Sequence, residues 1–246
     1  MSRRVALITD ANVHLGPDLA RELAKRNHDL VLGDPVTGLA TELQETGVNV
    51  EVVEGVSDLT NPESMQSLVD RALQSYGRLD AACIRTGKII TGDFLSATFE
   101  DFEALVSLNM ASVFHALKTL LPTMLAAKDG QIAIVTSAAG ARARPGAALY
   151  STTRAAANMM VRNAALSVAD QGVTINALGT NFLDYPGFVN ASGAADPDVR
   201  KRIESTIPVK RLGRPSEVAH FCAALLDGEN KFQTGQFFSL SGGWND

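Results

Sequence analysis

Tyr150 and Arg154 stand four residues apart in a stretch, 150–171, whose apolar positions recur at helical spacing. On a helix that interval stacks the two side chains on one face, so the guanidinium reaches the phenol. A free tyrosine, ionising near ~10, is a poor base at neutral pH. A fixed cation about 5 Å away, at an effective dielectric of about 20, favours the phenolate by roughly 3 kcal/mol. Arginine holds that charge throughout, unlike a buried lysine. Ser137 ends an apolar run thirteen residues earlier, where it can donate to a substrate oxygen and hold it against Tyr150. The trio has the makings of an acid–base site for a hydroxyl group.

Such a site needs a scaffold, and the chain spells one out. Short apolar runs at 4–9, 29–33, 49–54, 80–84, 131–137, 173–178 and 236–240 alternate with helical patterns at 16–27, 38–47, 62–76, 99–127, 150–171 and 215–226. The runs are continuous rather than alternating, as in strands covered on both faces. Strand–helix alternation predicts a parallel seven-stranded sheet with helices on both faces, a doubly wound Rossmann-type α/β fold forming a single domain over 1–246. The stretch 182–198 is rich in Gly, Asn, Asp, Ser and Pro. It predicts an irregular excursion within a lid at about 182–210, with Phe182, Leu183, Tyr185 and Phe188 as its apolar face.

The composition is ordinary for a globular protein of 246 residues: 46% hydrophobic, 20% charged, net charge −5. That charge, with no basic run, argues against nucleic acid and anionic lipid as partners. No apolar run is read as long enough to span a membrane, and a strand begins a few residues after Met1, which predicts no signal peptide. Cys83 and Cys222 read as small buried hydrophobes, and the expected location is the cytoplasm. His14, His28, His115 and His220 fall in different elements without ligand spacing, so no metal is expected.

The first strand runs into Thr9-Asp10-Ala11-Asn12-Val13-His14-Leu15-Gly16. A dinucleotide loop at this place needs several glycines, for the tight turn and for close approach to the pyrophosphate. Gly16 remains, Asp10 brings a carboxylate toward a di-anion, and His14 puts a ring where bare backbone is needed. The turn after the fourth strand, Ile84-Arg85-Thr86-Gly87, keeps only its last glycine. Against this, Asp34 ends the second strand, where an acid holds an adenine ribose, and Asp58 follows the third. Both are read as vestigial, as are Thr9 and Gly16, with capping and turn chemistry as the plain alternative for the two acids.

These residues resemble the short-chain dehydrogenase/reductase superfamily over essentially the whole chain. The matches are Ser137, Tyr150, Asn109 within Leu-Asn-Met-Ala-Ser-Val-Phe, Leu79-Asp80 before the fourth strand, and Arg211-Leu212-Gly213-Arg214-Pro215 before the last helix. Within it the departures resemble the halohydrin dehalogenases. That branch keeps the serine and tyrosine, replaces the tyrosine's lysine partner with arginine, here Arg154, and fills the nicotinamide space with a halide pocket.

The resemblance implies a cofactor-independent carbon–halogen lyase that converts vicinal halohydrins to epoxides and halide. In reverse it would open epoxides with azide, cyanide or nitrite. Ser137 and Tyr150 would bind the hydroxyl, the Tyr150 phenolate would take its proton, and Arg154 would stabilise the phenolate. His14, Thr180, Asn181, Phe182 and Leu183 would hold the halide or incoming anion. No cofactor would be needed. The rival reading is a nicotinamide-dependent dehydrogenase acting on a secondary alcohol or ketone through the same Ser137 and Tyr150, favoured by Asp34, Asp58 and Asn109. A third is an idle member kept as a binding subunit. Asn109 is read either as the superfamily's water-holding relay residue or as a helix-bend residue bonding backbone. Small and apolar residues around helices 99–127 and 150–171 predict a dimer or a homotetramer built as a dimer of dimers. Trp244 is expected at a subunit contact or a pocket mouth.

Overall fold

The computed structural model describes residues 3–244, so the first two and last two positions of the predicted domain lie outside the described residues. Seven strands, β1 (Arg4–Ile8), β2 (His28–Gly33), β3 (Val50–Val53), β4 (Ala81–Arg85), β5 (Gly130–Ser137), β6 (Val173–Thr180) and β7 (Phe237–Leu240), form one sheet. Their order is β3-β2-β1-β4-β5-β6-β7, and every pair is parallel. These are the seven runs read from the sequence, with ends moved by one or two residues.

Among the described residues, nine α-helices connect and cover the strands: α1 (Gly16–Lys25), α2 (Leu39–Glu45), α3 (Pro62–Tyr76), α4 (Phe99–Val106), α5 (Ser112–Ala127), α6 (Ala148–Val168), α7 (Pro186–Ser192), α8 (Pro197–Ser205) and α9 (Pro215–Leu226). Strand side chains alternate between two buried faces. Leu7, Val31, Ile84 and Ile134 join Leu68 of α3, Leu120 of α5 and Val161 of α6 in one core. Ile8, Leu32 and Cys83 join Leu19 and Leu23 of α1, Leu39 of α2 and Cys222 of α9 in the other. Strand order reverses between β1 and β4, so the crevice of this sheet opens at their carboxyl ends.

Local chemistry sets the helix ends. Asn61 accepts from Glu63 N ahead of α3, Pro62 opens that helix, and Gly77 ends it at φ +68°. Thr98 and Asp101 cap the start of α4 reciprocally. α4 and α5 run on as one helix through a π-turn at Ser107–Ala111 that holds Asn109. By length and composition alone the stretch Phe99–Ala127 could cross a membrane, contrary to the sequence reading. Its apolarity has a local use: Val113, Ala116, Leu120 and Met124 pack into the core.

The excursion after β6 is more ordered than its composition suggested. α7 and α8 fill much of it, each opened by a proline, with Gly193 at φ +73° ending α7. Asp196 accepts from Asp198 N and Val199 N to start α8. Pro186, Gly193, Asp196 and Pro197, which read as loop, mark the ends of these two helices.

Candidate active site

β5 and α6 deliver the predicted trio to the carboxyl edge of the sheet. Ser137 is the last residue of β5, in register with Thr180 at the end of β6. Its Oγ accepts from Ala139 N at 3.1 Å, which leaves the hydroxyl proton free to donate. Tyr150 lies in the first turn of α6 and is 8% exposed; Arg154, one turn on, is 4% exposed. The guanidinium carbon sits over the Tyr150 ring, 5.2 Å from the centroid. Nη2 donates to the Thr86 carbonyl at 2.8 Å and Nη1 to Thr86 Oγ1 at 3.3 Å. Nε is shut off from solvent with no partner. Among the described residues no carboxylate pairs with Arg154, so a full cation is buried beside Tyr150 without a counter-ion.

Two neighbours make room for that cation, and neither was singled out for this in the sequence. Thr86, at the end of β4, supplies both oxygens. Gly87 holds φ +79°, and a Cβ there would lie 1.9 Å from Asn109 Oδ1 and 2.7 Å from Arg154 Nη2. Asn109, fully buried, accepts from Lys88 N at 3.1 Å and donates to Thr153 Oγ1 at 3.0 Å. Oδ1 thus ties the bent helix to the backbone of the turn after β4, and Nδ2 ties it to Thr153 of α6.

The β1 loop is clamped to β4. Thr9 N donates to Cys83 O at 3.1 Å, and Thr9 Oγ1 accepts from Arg85 N at 2.9 Å. Asp10 and His14 hold φ +47° and +59°, the left-handed backbone that glycine adopts without cost. A Cβ on Gly16 would lie 2.3 Å from Asp10 O, so this glycine is required where helix meets loop. The carboxylate of Asp10 does not face the crevice as a bare charge. Arg85 Nη1 meets Asp10 Oδ2 at 2.6 Å. This corrects the expected repulsion of a di-anion: the two residues that looked like separate losses neutralise each other. α1 begins without a side-chain cap; in its first turn Gly16 N donates to Val13 O at 3.1 Å, Pro17 has no N–H, and Leu19 N donates to Leu15 O at 2.8 Å.

His14 is the side chain that enters the crevice. Its Nε2 lies 3.3 Å from Thr180 Oγ1, and its ring stands edge-to-face with Tyr185 at 5.1 Å. Nδ1 is sealed from solvent without a partner. Burial first, then the Arg85 and Arg154 guanidiniums, push its pKa down to about 3, so the ring is neutral at physiological pH.

The five residues expected to share a halide pocket are divided. His14 and Thr180 meet in the crevice. Asn181, Phe182 and Leu183 line a cavity of about 260 Å³ with Ile207, Arg211 and Leu240, and neither Ser137 nor Tyr150 lines it. Phe182, at φ +52°, packs edge-on against Phe188 and Trp244. Trp244 also lies under the Arg142 and Arg144 guanidiniums.

Just past β2, Asp34 accepts from Gly55 N at 2.6 Å, Val56 N at 3.0 Å and Ser57 Oγ at 2.6 Å. Burial works against its charge, but these bonds outweigh it and hold the carboxyl below its ordinary pKa. Asp58 bonds Thr60 through both N and Oγ1. Among the described residues, no group of three His, Cys, Asp or Glu side chains could hold a metal ion.

A family model described as enoyl-(acyl carrier protein) reductase matches residues 13–245. The chain belongs to this family, within the short-chain dehydrogenase/reductase superfamily. It is 30% identical to the oxidoreductase UcpA of Escherichia coli (strain K12), across 99% of this chain and 95% of that protein. It is also 30% identical to the acetoacetyl-CoA reductase of Cupriavidus necator, across 99% and 98%. Among solved structures, YwfH, an NADPH dependent reductase involved in bacilysin biosynthesis, superposes with a TM-score of 0.90 at 23% identity, covering 99% of this chain and 98% of its own.

These likenesses overturn the halohydrin dehalogenase expectation, and with it the carbon–halogen lyase and the cofactor-independent epoxide chemistry. The full-length relatives are oxidoreductases. The residues that suggested the branch are local substitutions in that frame, and they do not converge on one pocket.

An oxidoreductase of this superfamily implies a nicotinamide dinucleotide. The loop backbone fits one: two left-handed residues, a glycine under Asp10 O and a neutralised carboxylate. The Asp34 carboxyl would be the group to meet a ribose, and the ring of His14 is a side chain standing in the crevice beside that loop.

Proposed function

We propose that this protein is an oxidoreductase that interconverts a secondary alcohol and a carbonyl, with a nicotinamide dinucleotide as redox partner. Among the geometry, the observation that carries the reading is the buried guanidinium of Arg154, without a counter-ion, over Tyr150. The kinship to full-length oxidoreductases supports it. A buried cation without a partner is costly, and the anion it favours is the one that forms beside it during reaction. Arg154 stays charged throughout and sits 5.2 Å over the centroid of the Tyr150 ring, beside the group that becomes an anion during reaction.

The dinucleotide, when bound, supplies or accepts the hydride. The chain's own groups manage the oxygen and its proton. Ser137 donates its hydroxyl proton in a hydrogen bond to the substrate oxygen. Tyr150 gives its proton to that oxygen in reduction and takes it back in oxidation. Arg154 holds the phenolate in either direction, and Thr86 and Gly87 fix where Arg154 sits. The cavity between lid and β7 offers room for the body of a substrate, with Phe182 and Leu183 as apolar wall and Arg211 at its edge.

Phe99, Phe102, Phe114, Met159 and Leu166 are exposed on α4, α5 and α6. They support a second copy of the chain packed there, in a dimer or a dimer of dimers.

The test is turnover of ketones and β-keto thioesters with NADH and NADPH, followed by nicotinamide absorbance. Tyr150→Phe is expected to lower kcat about 10²–10⁴-fold with KM little changed. Undiminished turnover in Tyr150→Phe sinks the assignment.

A further inference from the structure

We propose that His14 is the residue that sets this protein's affinity for its dinucleotide: its ring plugs the passage between the β1 loop and the end of β6, and binding of the half beyond the pyrophosphate requires the ring to leave. The inference rests on the oxidoreductase reading given above.

Four observations converge on His14. It holds φ +59°, a backbone that β1-to-α1 turns normally give to glycine, so the loop keeps a dinucleotide-binding path while carrying a side chain that path does not accommodate. The ring spans the crevice to Thr180, the neighbour in register with Ser137, so it stands between the loop and the reacting groups. Tyr185 packs against it edge-on from the lid, which ties the ring to the segment a ligand would have to pass. Its Nδ1 is buried without a hydrogen-bond partner. A sealed, unsatisfied polar atom gains a partner whenever the ring swings toward solvent, so the closed position is not held by hydrogen bonding at both nitrogens.

Charge does not explain an affinity set here. Arg85 cancels Asp10, and Arg154 adds a cation, so the crevice is not hostile to phosphate. The obstruction is steric, and it acts on one half of the ligand. An adenosine half held at Asp34, past the end of β2, would not need the place that the His14 ring takes beside Thr180 and Tyr185; the half that reaches Ser137 and Tyr150 would.

The experiment compares the wild type with His14→Gly and His14→Ala, each confirmed folded by circular dichroism. Dissociation constants for NADPH, NADH, ADP-ribose and 5′-AMP are measured by calorimetry and by quenching of the chain's single tryptophan, Trp244. The expected result is at least tenfold tighter binding of the intact dinucleotides by both variants, with 5′-AMP affinity unchanged within twofold. Tyr185→Ala should give part of that gain, and the double variant no more than His14→Gly. If the wild type already binds dinucleotide as tightly as His14→Gly, the plug is refuted and the oxidoreductase reading stands. If 5′-AMP gains as much as the dinucleotides, the plug is refuted as well. If folded wild type and variants bind none of the four probes, the oxidoreductase reading falls, and the plug with it.

Discussion

At the carboxyl edge of the sheet, β1 and β4–β5–β6 face one crevice but treat charge in opposite ways. Around Tyr150 a guanidinium is buried with a carbonyl, a hydroxyl and an aromatic face for company. In the β1 loop a carboxylate that could have been left bare is given its own guanidinium. The first arrangement keeps a charge unspent where a reaction generates the opposite charge. The second cancels a charge where only the shape of the backbone matters. Arg154 therefore belongs to chemistry and Asp10 to architecture, although both look like departures from a familiar pattern. Variants that tell the two halves apart should follow this division.

The largest effect is expected at Gly87, which belongs to the Tyr150 half. Its φ of +79° and the 1.9 Å approach to Asn109 Oδ1 leave no place for a methyl group. Overpacking and strain of about 1–3 kcal/mol each predict that Gly87→Ala costs about 2–6 kcal/mol. Urea unfolding measures it, and a loss below about 1 kcal/mol would show that Arg154 has somewhere else to go. Next comes Asn109→Ala, which strips hydrogen bonds from Lys88 N and Thr153 Oγ1 in the interior. Thr153 Oγ1 keeps its bond to Leu149 O, so Lys88 N is the group left unsatisfied, at a cost of about 1–3 kcal/mol. A change confined to activity, with stability intact, would favour the relay role instead.

How much of this was legible in the sequence depended on the range of the signal. Continuous apolar runs with turn residues between them fix a parallel sheet, and the interval from Tyr150 to Arg154 fixes a shared helical face. Those are local patterns. What Arg154 bonds is decided by Thr86, 68 positions away, and Asp10 is neutralised by a partner 75 positions away. No local pattern carries either fact. The lid was misread for a different reason: Pro186, Pro197, Asp196 and Gly193 are residues of both loops and helix caps, and only the backbone between them decides which. Asn181–Leu183 were adjacent in sequence to Thr180, but at the end of a strand one residue is enough to turn a side chain into another cavity.

The β1 half is sharpened by pH. In the unfolded chain the His14 imidazole titrates at its ordinary 6.5, and in the folded protein at about 3. Between those values the unfolded state holds a proton that the folded state does not. Stability from this group is therefore complete above pH 6.5 and is lost as pH falls toward 3, by at most about 1.4 kcal/mol per pH unit. His28, also lowered chiefly by burial, adds a slope of the same sign. The difference between wild type and His14→Gly isolates the His14 share. Identical slopes in thermal melts across pH 4–7 (an assay range of roughly three units) would mean that His14 is open to water rather than wedged under Tyr185.

The smallest effect in stability is also the sharpest test of the contrast between the halves. Asp10→Gly removes an ion pair whose partners are 13% and 31% exposed, worth about 0.2–1 kcal/mol. It also relieves a left-handed φ of +47°, which returns a comparable amount because aspartate tolerates that region better than most residues. The two changes nearly cancel, so Tm is expected to move by no more than about 4 °C. What changes is Arg85, now without its carboxylate at the mouth of the crevice. If Asp10 serves only to neutralise and shape the loop, Asp10→Gly binds inorganic pyrophosphate more tightly than the wild type, and the gain shrinks as salt rises. If instead Arg85 collapses elsewhere and pyrophosphate binding is unchanged, the pair is a strut, and charge cancellation is incidental to how the loop keeps its glycine-like path.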